Sequence, residues 1–156
     1  MKRILALLIA MTGITGIAIA QQSASDSVAI LGDWNIYSIE AEIYSQKDGV
    51  LIEKMSVDPR AEVGQLKMGI PDGIRITKDS CFLRGREAFS GSYDIVRGGL
   101  LRIRQMINPG LPAIMKTYQY TVAPGSLTLT PPSVYYQDAT RGKAVKVIYQ
   151  CGYRRD

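Results

Sequence analysis

Glu40 and Glu42 stand two residues apart, which puts both carboxylates on one face of an extended strand. Such a pair can supply an acid and a base when it flanks a substrate. Nothing in this spacing requires it, and Asp79 and Glu87 lie elsewhere in the chain. There is no histidine at all. That removes Ser-His-Asp and Cys-His nucleophile systems, and every zinc or copper site that depends on imidazole. Thr140-Arg141-Gly142-Lys143 lacks the spacing of a phosphate loop. No catalytic residue, metal site or cofactor is assigned, and the chain is read as a protein that is not an enzyme.

Sulfur is the remaining reactive chemistry, and its meaning depends on compartment. Met1-Lys2-Arg3 is followed by an apolar run from Ile4 to Met11, continued more loosely to Ile19. Ala18-Ile19-Ala20 then fits the small-x-small rule. The pattern predicts a secretory signal over residues 1–20, cleaved after Ala20. Thr12, Gly13, Thr15 and Gly16 interrupt the run, so no membrane span is expected in the mature chain. The protein is expected to be exported, periplasmic or secreted. In that setting the only two cysteines, Cys81 and Cys151, are expected to form a disulfide.

Two segments are apolar where loops are usually polar. One spans residues 107–115 and offers Leu111, Ile114 and Met115 around two prolines. The other spans 131–138 and offers Val134, Tyr135 and Tyr136. Rigid aromatic and apolar loops suit the mouth of a ligand site or an anchor for a protein. Trp34 either stacks on a ligand or plugs one end of the fold. Arg141, Lys143, Lys146, Arg154 and Arg155 form a basic group. The formal charge is +5, and +3 without Lys2 and Arg3, which gives no case for nucleic acid.

The elements that must carry these residues are strands. After a flexible leader at 21–29, apolar residues recur every second position. Trp34, Ile36 and Ser38 alternate with Asn35, Tyr37 and Ile39, and Val145, Val147, Tyr149, Cys151 and Tyr153 form the clearest run. Phe89, Tyr93 and Ile95 share one face with Leu101 and Ile103, across a turn at Gly98-Gly99. Further turn signals are Asp48-Gly49, Asp72-Gly73 and Pro124-Gly125-Ser126. A helix is expected only at Asp58–Met68. About eight strands in a single domain over residues 30–156 predict an all-β fold, a small antiparallel up-and-down β-barrel, because closure removes exposed edges. Trp34, Phe89 and Tyr93 are placed in its interior.

The segments "ILGDWNIYSIE", "FSGSYDIVRGGLLRI" and "VIYQCGYRRD" resemble the opening strand, a central hairpin and the closing strand of small bacterial lipocalin-like and META-type domains. The resemblance implies a lipocalin-like barrel that holds a small apolar or amphipathic ligand. The alternative is a protein-binding module of the envelope, such as a hydrolase inhibitor or an assembly factor.

Overall fold

In a computed structural model of the protein, residues 29–60, 69–86 and 88–155 are described. The period-two pattern becomes ten antiparallel strands. They are β1 (Gly32–Ser45), β2 (Leu51–Val57), β3 (Gly73–Ile76), β4 (Cys81–Arg84) and β5 (Phe89–Val96), then β6 (Leu100–Gln105), β7 (Ile114–Ala123), β8 (Ser126–Thr130), β9 (Val134–Asp138) and β10 (Lys143–Arg155). Strands β3 to β8 pair in chain order, β3 joins β1, and β8 joins β10. Pairing of β1 with β10, from Trp34 opposite Arg155 to Ser45 opposite Val145, closes an eight-stranded barrel. β2 and β9 are additional, and flank β1 and β10 at one end. The expected helix runs beyond the described residues from 61 onward, as do the signal segment, most of the leader and Glu87.

Strand β10 keeps the expected phase: Val145, Val147, Tyr149, Cys151 and Tyr153 are all buried. Strand β1 does not. Ile36 faces Tyr153 but Ser38 faces Gly152, so Tyr37 is an inserted, bulged residue. Beyond it the buried set becomes Ile39, Ala41 and Ile43. The uninterrupted alternation expected from Trp34 to Ser38 is corrected by that bulge. Gly152 makes room for it, since a Cβ there would meet Ser38 Oγ at 2.3 Å and the Tyr37 ring at 2.9 Å.

The interior of the closed part is filled. Trp34, Ile74, Leu101, Ile103, Leu127, Val147 and Tyr153 have no exposed surface, and Leu129 and Tyr149 have 1%. A cavity with room for one water would leave accessible area on its walls, and these walls have essentially none. Each large side chain so buried contributes about 1.5–3 kcal/mol relative to exposure.

One end is sealed by side chains reaching across it. The Trp34 indole N–H donates to the Ile30 carbonyl at 2.8 Å. Arg155 covers the ring, and the Tyr153 hydroxyl donates to the Pro71 carbonyl at 2.8 Å. Tyr93 is on the inward face but only partly buried, and its hydroxyl donates to the Thr77 carbonyl at 2.9 Å. Trp34 is therefore the plug of the two roles considered.

The Cys81–Cys151 bridge is not formed; both thiols are free and buried. Cys81 opens β4 and Cys151 lies on β10, with β3 and β1 between them. Three strand spacings separate them along the wall, about 14 Å. A disulfide needs Cα atoms within roughly 7 Å. The Asp72-Gly73 turn is also corrected. The Asp72 N–H donates to the Arg84 carbonyl at 2.7 Å, and Gly73 begins β3. The other glycine turns stand where expected, at the β1–β2, β5–β6 and β7–β8 connections.

Candidate functional site

The end opposite Trp34 is built differently because β1 and β10 are long. Their far halves pair with β2 and β9, which gives a four-stranded extension in the order β2-β1-β10-β9. Strands β8 and β9 run along β10 in nearly continuous register. Leu129 faces Cys151, and Val134 faces Val147, a slip of one residue. Pro131 and Pro132 lie in the break. Successive N–H groups on a strand point to opposite edges, so two consecutive prolines remove one donor toward each neighbour. Pairing with β10 resumes beyond them. Pairing with β7 does not: its last rung is Gln119 opposite Thr130.

The sheet therefore splits at the prolines. Strand β7 pairs with β6 over Ile114–Gln119 but with β8 only over Gln119–Ala123. Its first residues and the outer edge of β9 diverge from one seam. With the one-residue slip carried across, Tyr135 would stand opposite Met115 and Tyr136 opposite Ile114. All six loop residues singled out in the sequence are thus carried by the two strands, or the adjoining loop, that leave this split. Leu111, Ile114, Met115 and Tyr135 are exposed; Val134 and Tyr136 are half-buried against the core. Sequence reasoning missed Met106 and did not single out Ile107, the first residue of the 107–115 segment; they are 63% and 68% exposed on the same β6–β7 loop. Their signal was present: both are apolar and immediately precede Asn108-Pro109.

Charge at this end is organised around Arg141, in the β9–β10 turn. Its backbone N–H donates to Asp138 Oδ1 at 3.1 Å, and its guanidinium bonds both Asp138 and Glu53 on β2. Those hydrogen bonds hold the Asp138 carboxyl below its ordinary range. Asp138 is only 7% exposed, so the pair is anchored at the sheet. The Tyr149 hydroxyl is buried and lacks a hydrogen-bond partner among the described residues. Burial, with Tyr136 and Cys151 nearby, pushes that phenol up to about 12.

The other candidates disperse. Arg154 lies over the Tyr37 ring and Arg155 over Trp34, so the basic group expected from sequence is not one patch. Glu42 accepts from the Tyr44 hydroxyl at 2.7 Å and from Lys54 at 3.2 Å, which lowers its pKa, the phenol contributing most. Asp79 stands in the β3–β4 turn at the opposite end.

Compared with protein-family models, curated proteins and solved structures, the chain matches none. Geometry and chemistry alone therefore bear on function.

Proposed function

We propose that this chain is an exported, non-enzymatic protein-binding module that docks through the end of its barrel opposite Trp34. The observation that carries this is the apolar β6–β7 loop with the start of β7: Met106, Ile107, Leu111, Ile114 and Met115 are each 45–68% exposed. Exposed apolar side chains clustered on one loop are the usual mark of an interaction surface. Pro109 and Pro112 stiffen the loop, which lowers the entropy lost on docking. The alternative, a lipocalin-like carrier of a small apolar ligand, needs an interior that can open. The closed part of the barrel would have to give up packed Trp, Tyr and Leu side chains to admit one.

Pull-down from the source envelope, with wild type and a Leu111→Ser/Tyr135→Ser/Tyr136→Ser variant, tests this reading. A partner recovered by wild type and lost by the variant supports it. Recovery unchanged by the substitutions overturns the assignment of the surface. Native mass spectrometry tests the alternative: a solvent-extractable mass of a few hundred daltons on the purified protein would favour the carrier.

A further inference from the structure

The two edges of the sheet differ in how they are guarded. Strand β2 ends it on one side and β9 on the other. Proteins protect such edges with charge, since an unpaired row of N–H and C=O groups invites another strand. The middle of β2 carries Glu53 and Lys54, both in ion pairs, with Arg141 and Glu42. Val134-Tyr135-Tyr136-Gln137 of β9 carries no charge before Asp138. Among the described residues no backbone hydrogen bond reaches its outer edge.

That unguarded edge faces the split from β7. Its pleat alternates apolar groups on both faces. Tyr135 points outward beside Lys146, its partner on β10, and Val134 and Tyr136 point to the core side. Two cations stand on the paired strand β10, Lys143 opposite Asp138 and Lys146 opposite Tyr135. Asp138, the carboxylate at its end, is bonded by Arg141 and stands opposite Lys143.

We propose that the outer edge of β9 accepts an extended segment of a partner protein as an added strand, apolar on alternate residues and acidic at its ends. The inference rests on the protein-binding reading above and specifies how the partner is held. Backbone hydrogen bonds supply the register, and alternate apolar side chains meet Tyr135 on one face and Val134, Tyr136 and Ile114 on the other. Five residues of β9 match a segment of about 17 Å. A second copy of this chain fits less well, because edge-to-edge pairing would bring two sets of flanking lysines together. A lipid surface has no backbone groups to pair.

The test uses the purified protein and a fluorescein-labelled peptide, Glu-Val-Thr-Val-Tyr-Val-Glu, followed by fluorescence anisotropy. A matched peptide, N-methylated at its five central residues, keeps every side chain and loses the backbone donors. The parent is expected to bind at least about tenfold more tightly than the methylated form, the equivalent of two or three lost hydrogen bonds. Tyr135→Lys, at an exposed position, should weaken binding about tenfold by guarding the edge, with an unchanged melting temperature. Ile52→Lys on β2 should leave it unchanged. Amide exchange should slow at 134–138 when the parent peptide binds. Equal affinity for both peptides, indifference to Tyr135→Lys, or no binding up to about 1 mM overturns strand addition. Those outcomes are separate from the pull-down: a partner lost on substituting Leu111, Tyr135 and Tyr136 would keep the docking surface while discarding the added strand.

Discussion

The guanidinium of Arg155 lies over the indole of Trp34, 4.6 Å from the ring centroid, and so joins the end of the last strand to the start of the first. Arg155 also donates to the Ala29 and Leu31 carbonyls at 2.6 and 2.8 Å. One side chain thus fastens the entering chain across the sealed end. Trp34→Ala is expected to cost about 3–5 kcal/mol, as for other large aromatic truncations in a core. Arg155→Ala is expected to cost about 1–2 kcal/mol, from the ring contact and the backbone hydrogen bonds together. Urea unfolding measures both. A loss under about 1 kcal/mol for Trp34→Ala would contradict a plug.

Gly91 is required by a close approach. It pairs with Cys81 on β4, and a Cβ on it would stand 2.0 Å from the Arg104 carbonyl oxygen on β6. The obstruction is backbone, so a rotamer change cannot relieve it. Gly91→Ala is expected to cost more than about 3 kcal/mol or to abolish folding. Gly49 has φ +70 in an open turn with nothing within 4 Å of its Cβ, and Gly49→Ala should cost only about 1 kcal/mol. Equal costs, read from urea midpoints, would contradict the close approach.

Much of the barrel was legible because each strand hides one face. The hairpin from Phe89 to Ile103 and the run from Val145 to Tyr153 need only alternation and a glycine turn to be recognised. Three features were not legible. The Tyr37 bulge reverses the inward phase of β1, and it depends on the missing Cβ of Gly152, far away in the chain. The split beyond Thr130 comes from Pro131-Pro132, which reads in sequence simply as a loop. The disulfide expectation failed because a pair of cysteines in a sequence says nothing of distance around a barrel. The six loop residues could be named from sequence because apolar loops are unusual; their convergence on one seam is a property of register.

Asp138 gives the end opposite Trp34 an acid sensitivity. Arg141 holds its carboxyl below the ordinary aspartate range, with hydrogen bonds from the guanidinium and from the backbone. A depressed pKa means stabilisation that is full above the unfolded value and lost as pH falls through the folded one. Melting temperature should therefore fall from about pH 4 downward. Arg141→Ala should lower it at neutral pH and flatten that fall. Parallel acid profiles for the two proteins would show that the pair contributes nothing to the pH dependence.

The two thiols set the alkaline side. Burial pushes both Cys81 and Cys151 up to about 12 from 9.0, and Tyr149 up to about 12 from 10.0. Groups whose folded pKa is raised contribute stability that is full below the unfolded pKa and lost as pH rises through the folded one. Stability should therefore decline from about pH 9 to about pH 12. At pH about 8 a disulfide reagent should titrate no thiol in the native protein and both after denaturation without reductant, since the thiolate is the reactive form. Native labelling at the denatured rate would contradict their burial, and no thiol after denaturation would contradict their separation.

Replacing Pro131-Pro132 with Val-Thr tests what divides the sheet. The substitution returns two N–H donors, one toward β10 and one toward β7, to a strand whose flanking registers are already nearly aligned. With those donors the β7–β8 ladder can continue past the Gln119–Thr130 rung, which brings the start of β7 against β9. Hydrogen exchange should then slow at 114–118 and at 133–136, where no ladder joins β7 to β9. Stability should rise by about 1–2 kcal/mol from the added ladder bonds, less what the prolines contributed by restricting the unfolded chain. The extended peptide should lose its site, because the edge of β9 would be occupied by β7. Unchanged exchange at both segments would mean that the splay is held by the β6–β7 loop and its apolar cluster rather than by the missing donors.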